Sequence, residues 1–459
     1  MEFARCVRWY SASFMLERFR QYMTEQHFFP DGGEVLLAVS GGRDSVALSD
    51  LMYRSGIRFA LAHCNFHLRP GECDRDQQFV QQLAERLKVR FFTVDFDTSA
   101  YAVAQGYSIE EAARELRYGW FARLCNEYGY ACVATAHHRD DSVETFFLNL
   151  FRGTGIAGLH GIRPNTELKI DNSELRVVRP MLCFSRADIN EYIAERGLCY
   201  VEDSTNATLD ARRNRIRLRL MPLLRELYPS VDTTMEANIA RLADVNVVFE
   251  NYTDDLRGRI IHSYESRLAY LPEEIKAIEV SDIQSINPRR TLLFELLRPF
   301  AFNAAVVDDI MNAVEMGRGG KQFFSSTHVA ELHRGNILLF PLVEIKTPTL
   351  NISTLSVELC PQTRCGNGLV ECFDADIPNH PLTVRPWREG DRFRPLGMTG
   401  SRLVSDFLKD SGLSLIERQY VHLLVDSDNR PLWVVGLRMD DRFRITTSTK
   451  RVLRVECLQ

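Results

Sequence analysis

No run of about eighteen apolar residues occurs in the chain, so no segment has the length and hydropathy of a bilayer-spanning helix. The first thirty residues carry Arg and Glu throughout and lack the apolar stretch of a secretion signal. A cytosolic protein without a membrane partner is the expectation. The eleven cysteines are scattered and never form a C-x-x-C pair, which argues against a zinc ribbon, an iron–sulfur ligand set or a redox dithiol. The loose series Cys360, Cys365 and Cys372 has no close pair and no neighbouring set of histidines, so reduced thiols are expected there too. Internal repeats and low-complexity tracts are also missing. The net charge of −5 withholds the overall basic character of many nucleic-acid binders.

What is present is local. Arg212, Arg213, Arg215, Arg217 and Arg219 crowd five cations into eight residues, and Arg385, Arg388, Arg392 and Arg394 form a second basic stretch. At 459 residues the chain exceeds one ordinary core. After an amphipathic N-terminal helix, apolar strands at Glu34–Ser40, Phe59–Phe66, Val89–Phe96 and Tyr130–Thr135 alternate with helices at Asp44–Ser55, Arg75–Leu87, from Ser108 onward, and Asp140–Phe151. Ser108 and Glu111 have the spacing of a capping box. That alternation predicts an α/β fold, a doubly wound, Rossmann-like parallel sheet covered on both faces. Helical periodicity dominates Met235–Leu256 and Arg289–Val314, with short strands near Lys321–Phe340. A polar stretch follows, and then short β runs with one helix near Leu403–Ser411. The predicted organisation is a helical extension (1–33), the α/β domain (34–222), a mainly helical domain (223–345), a linker (346–380) and a small α+β domain (381–459).

Ala38-Val39-Ser40-Gly41-Gly42-Arg43-Asp44-Ser45 lies where the first strand meets the first helix of the alternation. Ligands of open α/β sheets bind at such corners. Two glycines remove Cβ atoms, so backbone amides can close around an anion, and the helix N-terminus adds a favourable dipole. Ser40 and Ser45 supply hydroxyl donors. Asp44, acidic beside an anion site, suits a bound Mg²⁺ or a helix cap. The alternative is an ordinary β–α turn with a serine cap. This is not a Walker loop, because G-x-x-x-x-G-K-[ST] does not occur. A nucleotide site at Ser40, Gly41, Gly42, Arg43, Asp44 and Ser45 is the expectation.

A second polar constellation, His137-His138-Arg139-Asp140-Asp141-Ser142-Val143-Glu144-Thr145, begins at the end of the fourth strand. Asp141 and Glu144 are three apart on a first helical turn, so their carboxylates share a face. They are placed to hold a cationic amine, although acids in a first turn also simply complement the helix dipole. Adjacent histidines at a strand end point oppositely, which disfavours a shared metal. Gly153-x-Gly155-x-x-Gly158 imitates a dinucleotide fingerprint but follows a helix where that fingerprint needs a strand.

Taken together, Ser40–Ser45, His63-Cys-Asn65-Phe-His67-Leu-Arg69, Glu110–Tyr118 with Arg114 and Arg117, Ala136–Thr145, Phe151–Gly161, Arg179-Pro-Met-Leu182, Asp203–Asn206, Arg213–Arg217 and Arg385–Phe393 resemble the ordered motifs of tRNA(Ile)-lysidine synthetases, within the PP-loop ATPases. Family members often carry His where this chain has Phe66. The resemblance implies a PP-loop domain at 34–222, a substrate-binding domain at 223–345 and a tRNA-binding domain at 381–459. It also implies a two-step reaction with ATP and Mg²⁺. The wobble cytidine of a tRNA(Ile) with a CAU anticodon attacks the α-phosphate of ATP through O2 and releases pyrophosphate. L-Lysine then displaces AMP, which changes decoding from Met/AUG to Ile/AUA. On this reading Asp44, His137, Asp141 and Glu144 are catalytic, and Asp44 is a Mg²⁺ ligand. Arg114, Arg117, Asp141 and Glu144 bind lysine, while Arg152, Arg213, Arg215, Arg217, Arg385, Arg388 and Arg392 contact tRNA phosphates. A tRNA 2-thiolating ATPase on the same loop is the nearest rival, and the missing C-x-x-C counts against it. A tRNA-binding protein with a vestigial ATP site would be expected to lose Asp44, Asp141 or Glu144, and all are present.

Overall fold

The computed structural model describes residues 12–458 apart from 30–31, 69–70, 171–172, 203–211, 269, 272–273, 318 and 360–368. Arg69, Asp203–Asn206, Cys6, Cys360 and Cys365 of the sequence reading lie outside the described residues. The chain divides into two compact units at Val248 and Phe249.

In the first unit the elements run α1 (Ala12–Glu25), β1 (Val35–Ala38), α2 (Arg43–Arg54), β2 (Phe59–Asn65), α3 (Glu72–Leu87), β3 (Phe91–Asp95), α4 (Thr98–Gln105), α5 (Ile109–Tyr128), β4 (Cys132–Ala134), α6 (Arg139–Arg152), β5 (Asn165–Ile170), β6 (Ser173–Val178) and α7 (Arg186–Arg196). A helical stretch follows as α8 (Arg212–Arg215), a π turn at Ile216–Leu220, α9 (Met221–Leu227) and α10 (Val231–Ile260), whose last residues, from Phe249, belong to the second unit. The six strands are ordered β3-β2-β1-β4-β6-β5, all parallel except the edge strand β5. The parallel part matches the sequence reading. The β5–β6 hairpin extends it, and its alternating polar side chains suit an edge with one exposed face.

Burial explains the sheet. β1 is Val-Leu-Leu-Ala, buried on both faces, as a central parallel strand must be. Phe19 of α1, Leu48 and Leu51 of α2, Val80 of α3 and Tyr192 of α7 cover one face, packing on Leu37 and Leu61. Tyr118 and Phe121 of α5 cover the other, packing on Leu36, Ala60 and Val133. Each large apolar side chain buried here stabilises the fold by about 1.5–3 kcal/mol, and truncating Leu37 to Ala would cost about 2–5 kcal/mol. The Ser108–Glu111 capping box is present: the Ser108 amide donates to Glu111 at 2.9 Å and the Glu111 amide to Ser108 Oγ at 3.3 Å. The strand order reverses direction of growth at β1 and β4, which pair with Leu37 opposite Ala134. The loops leaving these two strands are therefore neighbours.

The second unit is richer in strand than its periodicity implies. β7 (Ile261–Ser263), β8 (Lys276–Glu279), β9 (Gln322–Phe324), β10 (His328–His333) and β11 (Asn336–Pro341) form a sheet ordered β7-β8-β11-β10-β9. Helices α11 (Val280–Ser285), α12 (Arg289–Leu297) and α13 (Ala304–Glu315) pack on it through Leu293, Leu296 and Ile310. The stretch read as a linker differs from that reading. It holds β12 (Thr349–Ser356) and β13 (Val370–Asp374), which flank the strand Arg451–Leu458. Its Thr and Ser content suggested a linker, but β12 is a half-exposed edge strand whose ladder partner lies some hundred residues downstream. Buried Glu331 of β10 accepts the amides of Leu415 and Ile416 at 2.7 and 2.9 Å, which offsets the cost of desolvating its charge. Among the described residues no helix is long and apolar enough to cross a membrane.

Candidate active site

The corner after β1 has the geometry of an anion cradle. Gly41 takes φ +87°, open to glycine and strained for other residues, and a Cβ there would sit 3.4 Å from Phe79 and Val80. The Gly42 amide donates to Ser40 Oγ at 3.3 Å, and Ser45 Oγ donates to the Gly42 carbonyl at 2.8 Å. Ser40 itself is exposed. The two hydroxyls lie 3.4 Å apart at the N-terminus of α2. Arg43 turns outward, bonding Asn190 and covering the Tyr200 ring at 5.0 Å.

His138 joins this corner to the next strand. Fully buried at the head of α6, its Nε2 lies 3.7 Å from Asp44 and 3.5 Å from Asp141, and 3.1 Å from the Arg186 guanidinium. Asp140 accepts the Arg186 amide at 2.9 Å and faces Arg225 at 3.4 Å. Burial raises the Asp44 carboxyl above its ordinary range, against the pull of His138 and Arg186. Burial pushes the Asp141 carboxyl up as well, but His138, Arg213, His137 and the His138 amide outweigh it and hold the group below its ordinary range. Burial takes His137 down to about 4, with Asp141 opposing and Arg179 and Arg213 reinforcing, so its imidazole is neutral at pH 7. Its Nδ1 lies 2.9 Å from the Thr135 hydroxyl.

The arginine-rich segment meets the carboxylates directly. Glu144 accepts Arg217 Nε at 2.7 Å and Arg213 Nε at 2.8 Å, and a second Arg217 nitrogen at 3.0 Å. Asp141 accepts Arg213 at 3.2 Å and its own helix-capping bond from the His138 amide at 2.9 Å. The sequence reading sent the acids to lysine and the arginines to RNA; the structure brings Arg213 and Arg217 onto Asp141 and Glu144. Arg213 of α8 and Arg217 of the π turn are four residues apart, so they share a helical face, and Ile216 packing beside Val143 holds that segment against α6. Arg215 is exposed.

Arg114 and Arg117 sit near the start of α5, at the carboxyl end of the sheet. Arg114 covers the Tyr118 ring at 4.9 Å and Arg117 the Phe66 ring at 5.1 Å. Phe66 thus acts as a platform for a cation. His63 is buried against the Val39 carbonyl at 2.9 Å, and His67 pairs with Asp95 at 2.9 Å. Arg152 is exposed at the end of α6, and the glycines after it follow a helix, so the dinucleotide fingerprint has no strand before it. In the second unit Arg385 is committed to Asp391 by two bonds of 2.8 Å, with both side chains 12% exposed, whereas Arg388 and Arg392 are exposed. Arg385 thus shapes its loop instead of facing outward. Among the described residues the cysteines form no disulfide, and no set of three His, Cys, Asp or Glu is arranged to hold a metal.

The sequence reading missed the joining role of His138 and the part of Arg186. The pair of histidines was a signal, and the sequence reading gave a catalytic role to His137 and none to His138. Arg186 enters from the start of α7, and no local pattern announces it.

Comparison with known proteins accounts for this arrangement. Residues 15–224 match the PP-loop domain family, 272–342 the TilS substrate binding domain and 382–457 the TilS substrate C-terminal domain. The tRNA(Ile)-lysidine synthase of Bacteroides thetaiotaomicron is 39% identical, covering 95% of this chain and 98% of the relative. That of Parabacteroides distasonis is 38% identical over 97% of this chain and 100% of the relative. The Porphyromonas gingivalis enzyme is 33% identical over 94% and 96%. With three domains matched in order and relatives aligned from end to end, the chain belongs to the tRNA(Ile)-lysidine synthase family.

Proposed function

We propose that this protein ligates L-lysine to the wobble cytidine of a cytoplasmic tRNA(Ile) bearing a CAU anticodon, through an adenylated cytidine. Its family makes it an ATP-dependent ligase that forms lysidine in tRNA, with ATP taken by the PP-loop domain. The observation that carries the finer reading is the Asp44–His138–Asp141 chain of contacts, 3.7 and 3.5 Å, across neighbouring strand ends. That chain of contacts links the corner after β1 to the paired acids at the head of α6.

In the first step cytidine O2 attacks the α-phosphorus and pyrophosphate leaves. The Gly41–Gly42 corner, Ser40, Ser45 and the α2 N-terminus stabilise the departing charge. A lone carboxylate beside phosphates suits Mg²⁺, which is usually held by one or two carboxylates and its substrate's oxygens; Asp44 is the residue that would hold it, and the ion would neutralise phosphate charge. In the second step the lysine amine attacks C2 of the activated base and AMP departs. Asp141 and Glu144 hold a lysine ammonium group. In the structure their oxygens are taken by Arg213 and Arg217, so lysine enters as those guanidinium groups withdraw, toward the phosphates of the bound RNA. On this reading neutral His137 accepts the proton that the attacking amine loses.

The test is pyrophosphate release with ATP, lysine and purified tRNAs. Release should depend on a tRNA with a CAU anticodon, and labelled lysine should become covalently attached to it. Release without tRNA, or sulfur transfer in place of lysine, would reject the reading.

A further inference from the structure

The far end of α6 carries a feature that the ligation chemistry does not use. Phe151 is 65% exposed, and its ring stacks on Phe147 with centroids 5.9 Å apart and planes at 27°. Phe147 is anchored below, since it packs on the cluster of Val143, Ile216, Met221 and Ile239. A large ring left in water forgoes the stabilisation that burial would give it, so an outward-facing aromatic stacked on an anchored neighbour calls for an occupant.

The surroundings specify the occupant's chemistry. From Thr145 to Thr166 the chain contains no Asp or Glu, in a protein with 61 of them, while Arg152, His160 and Arg163 fall within that span. Directly after Arg152, a Cβ on Gly153 or Gly155 would meet nothing within 4 Å, so bare backbone faces outward. An aromatic face, an adjoining cation, uncovered glycine backbone and a span without carboxylates suit single-stranded nucleic acid: a base stacks while its phosphate meets positive charge. Position supplies the rest. Phe147 and Phe151 follow Glu144 by three and seven residues, on one face of α6, which puts Phe151 about 10 Å along the helix from the lysine-holding acids.

We infer that the Phe147–Phe151 pair is a stacking platform for the nucleotide next to the reacting cytidine, holding the anticodon loop open while that cytidine reaches the first turn of α6. The inference rests on the lysine-ligation reading above. Phe151 is a positioning residue: it touches the neighbouring base and leaves the chemistry to the first turn of the helix.

The experiment uses the full-length protein and a tRNA(Ile) transcript with 2-aminopurine in place of the adenine of its CAU triplet. Binding to the wild-type protein should change the 2-aminopurine fluorescence as the base restacks on Phe151. Phe151→Ala should abolish that change and raise KM for tRNA about five- to 150-fold, the range for losing one base stack, with a smaller effect on kcat at saturating tRNA. Phe151→Trp should restore both, and Phe151→Leu should not. Thermal unfolding of the variants checks that the exposed substitution leaves the fold intact. Unchanged fluorescence and KM in Phe151→Ala would overturn the platform and leave the patch to a protein partner. Equal rescue by Leu and Trp would overturn it too, because an apolar cover would then suffice. If the wild-type protein attaches no lysine to the tRNA, it is the ligation reading that fails, and that result is read separately from the fluorescence.

Discussion

Replacing Glu144 by Gln withdraws a negative charge from the point where two guanidinium groups converge. Its side chain is 3% exposed and accepts three N–H bonds of 2.7–3.0 Å from Arg213 and Arg217. Removing one partner of a fully buried ion pair costs about 3–5 kcal/mol. Here the arginines are 35% and 19% exposed and can turn toward water, so a loss of about 1–3 kcal/mol is expected. For a unit of this size that lowers Tm by roughly 2–12 °C. The same carboxylate should hold the lysine ammonium, and losing one charge-assisted bond of about 1.5–3 kcal/mol raises the KM for lysine about 10- to 150-fold. Arg217→Gln provides the contrast. It also destabilises the fold, but it removes a cation competing for Glu144, so the lysine KM should stay level or fall. Labelled-lysine incorporation at varied lysine, beside thermal unfolding of both variants, separates the two effects. If Glu144→Gln lowers Tm while its lysine KM stays within twofold of wild type, the acids serve only their arginines and the reasoning is refuted.

Gly41→Ala should cost about 1 kcal/mol from its positive φ and raise the KM for ATP, measured by pyrophosphate release at varied ATP. His137 is held near 4, below its ordinary value of 6.5, so the folded chain prefers the neutral ring. That contribution to stability is complete above pH 6.5 and is lost as pH falls toward 4; Tm against pH should drop across that window, and less so in His137→Gln. Asp391 is held below the ordinary carboxylate range: burial raises it, but Arg385 and the Arg388 amide outweigh burial. Its contribution is present at neutral pH and lost as pH falls through its depressed folded value. Asp391→Asn should therefore destabilise the second unit by about 1–3 kcal/mol at pH 7 and much less under strong acid, as denaturant titration would show.

The parallel strands were legible because burial on both faces demands unbroken apolar runs, as in Val35–Leu37, and the Ser108–Glu111 cap because its bonds are local. The strand-to-helix corner at Ser40–Ser45 was legible for the same reason: its glycines and hydroxyls lie within six residues. What escaped depends on distance along the chain. β12 looks like a linker until the strand Arg451–Leu458 pairs with it. Arg213 and Arg217 look like a solvated or RNA-facing run until packing of their segment on α6 brings them to Glu144, some seventy residues earlier in the chain. His138 could be seen as polar, but its place between Asp44 and Asp141 exists only because β1 and β4 are neighbours in the sheet.

Mass spectrometry of the anticodon nucleosides tests the two-step ligation most directly. After incubation of the protein with ATP, lysine and a CAU-bearing tRNA(Ile), the wobble cytidine should gain the mass of one lysine less one water; with lysine omitted, it should instead carry AMP. A cytidine left unmodified, or one with sulfur in place of its oxygen, would contradict the account.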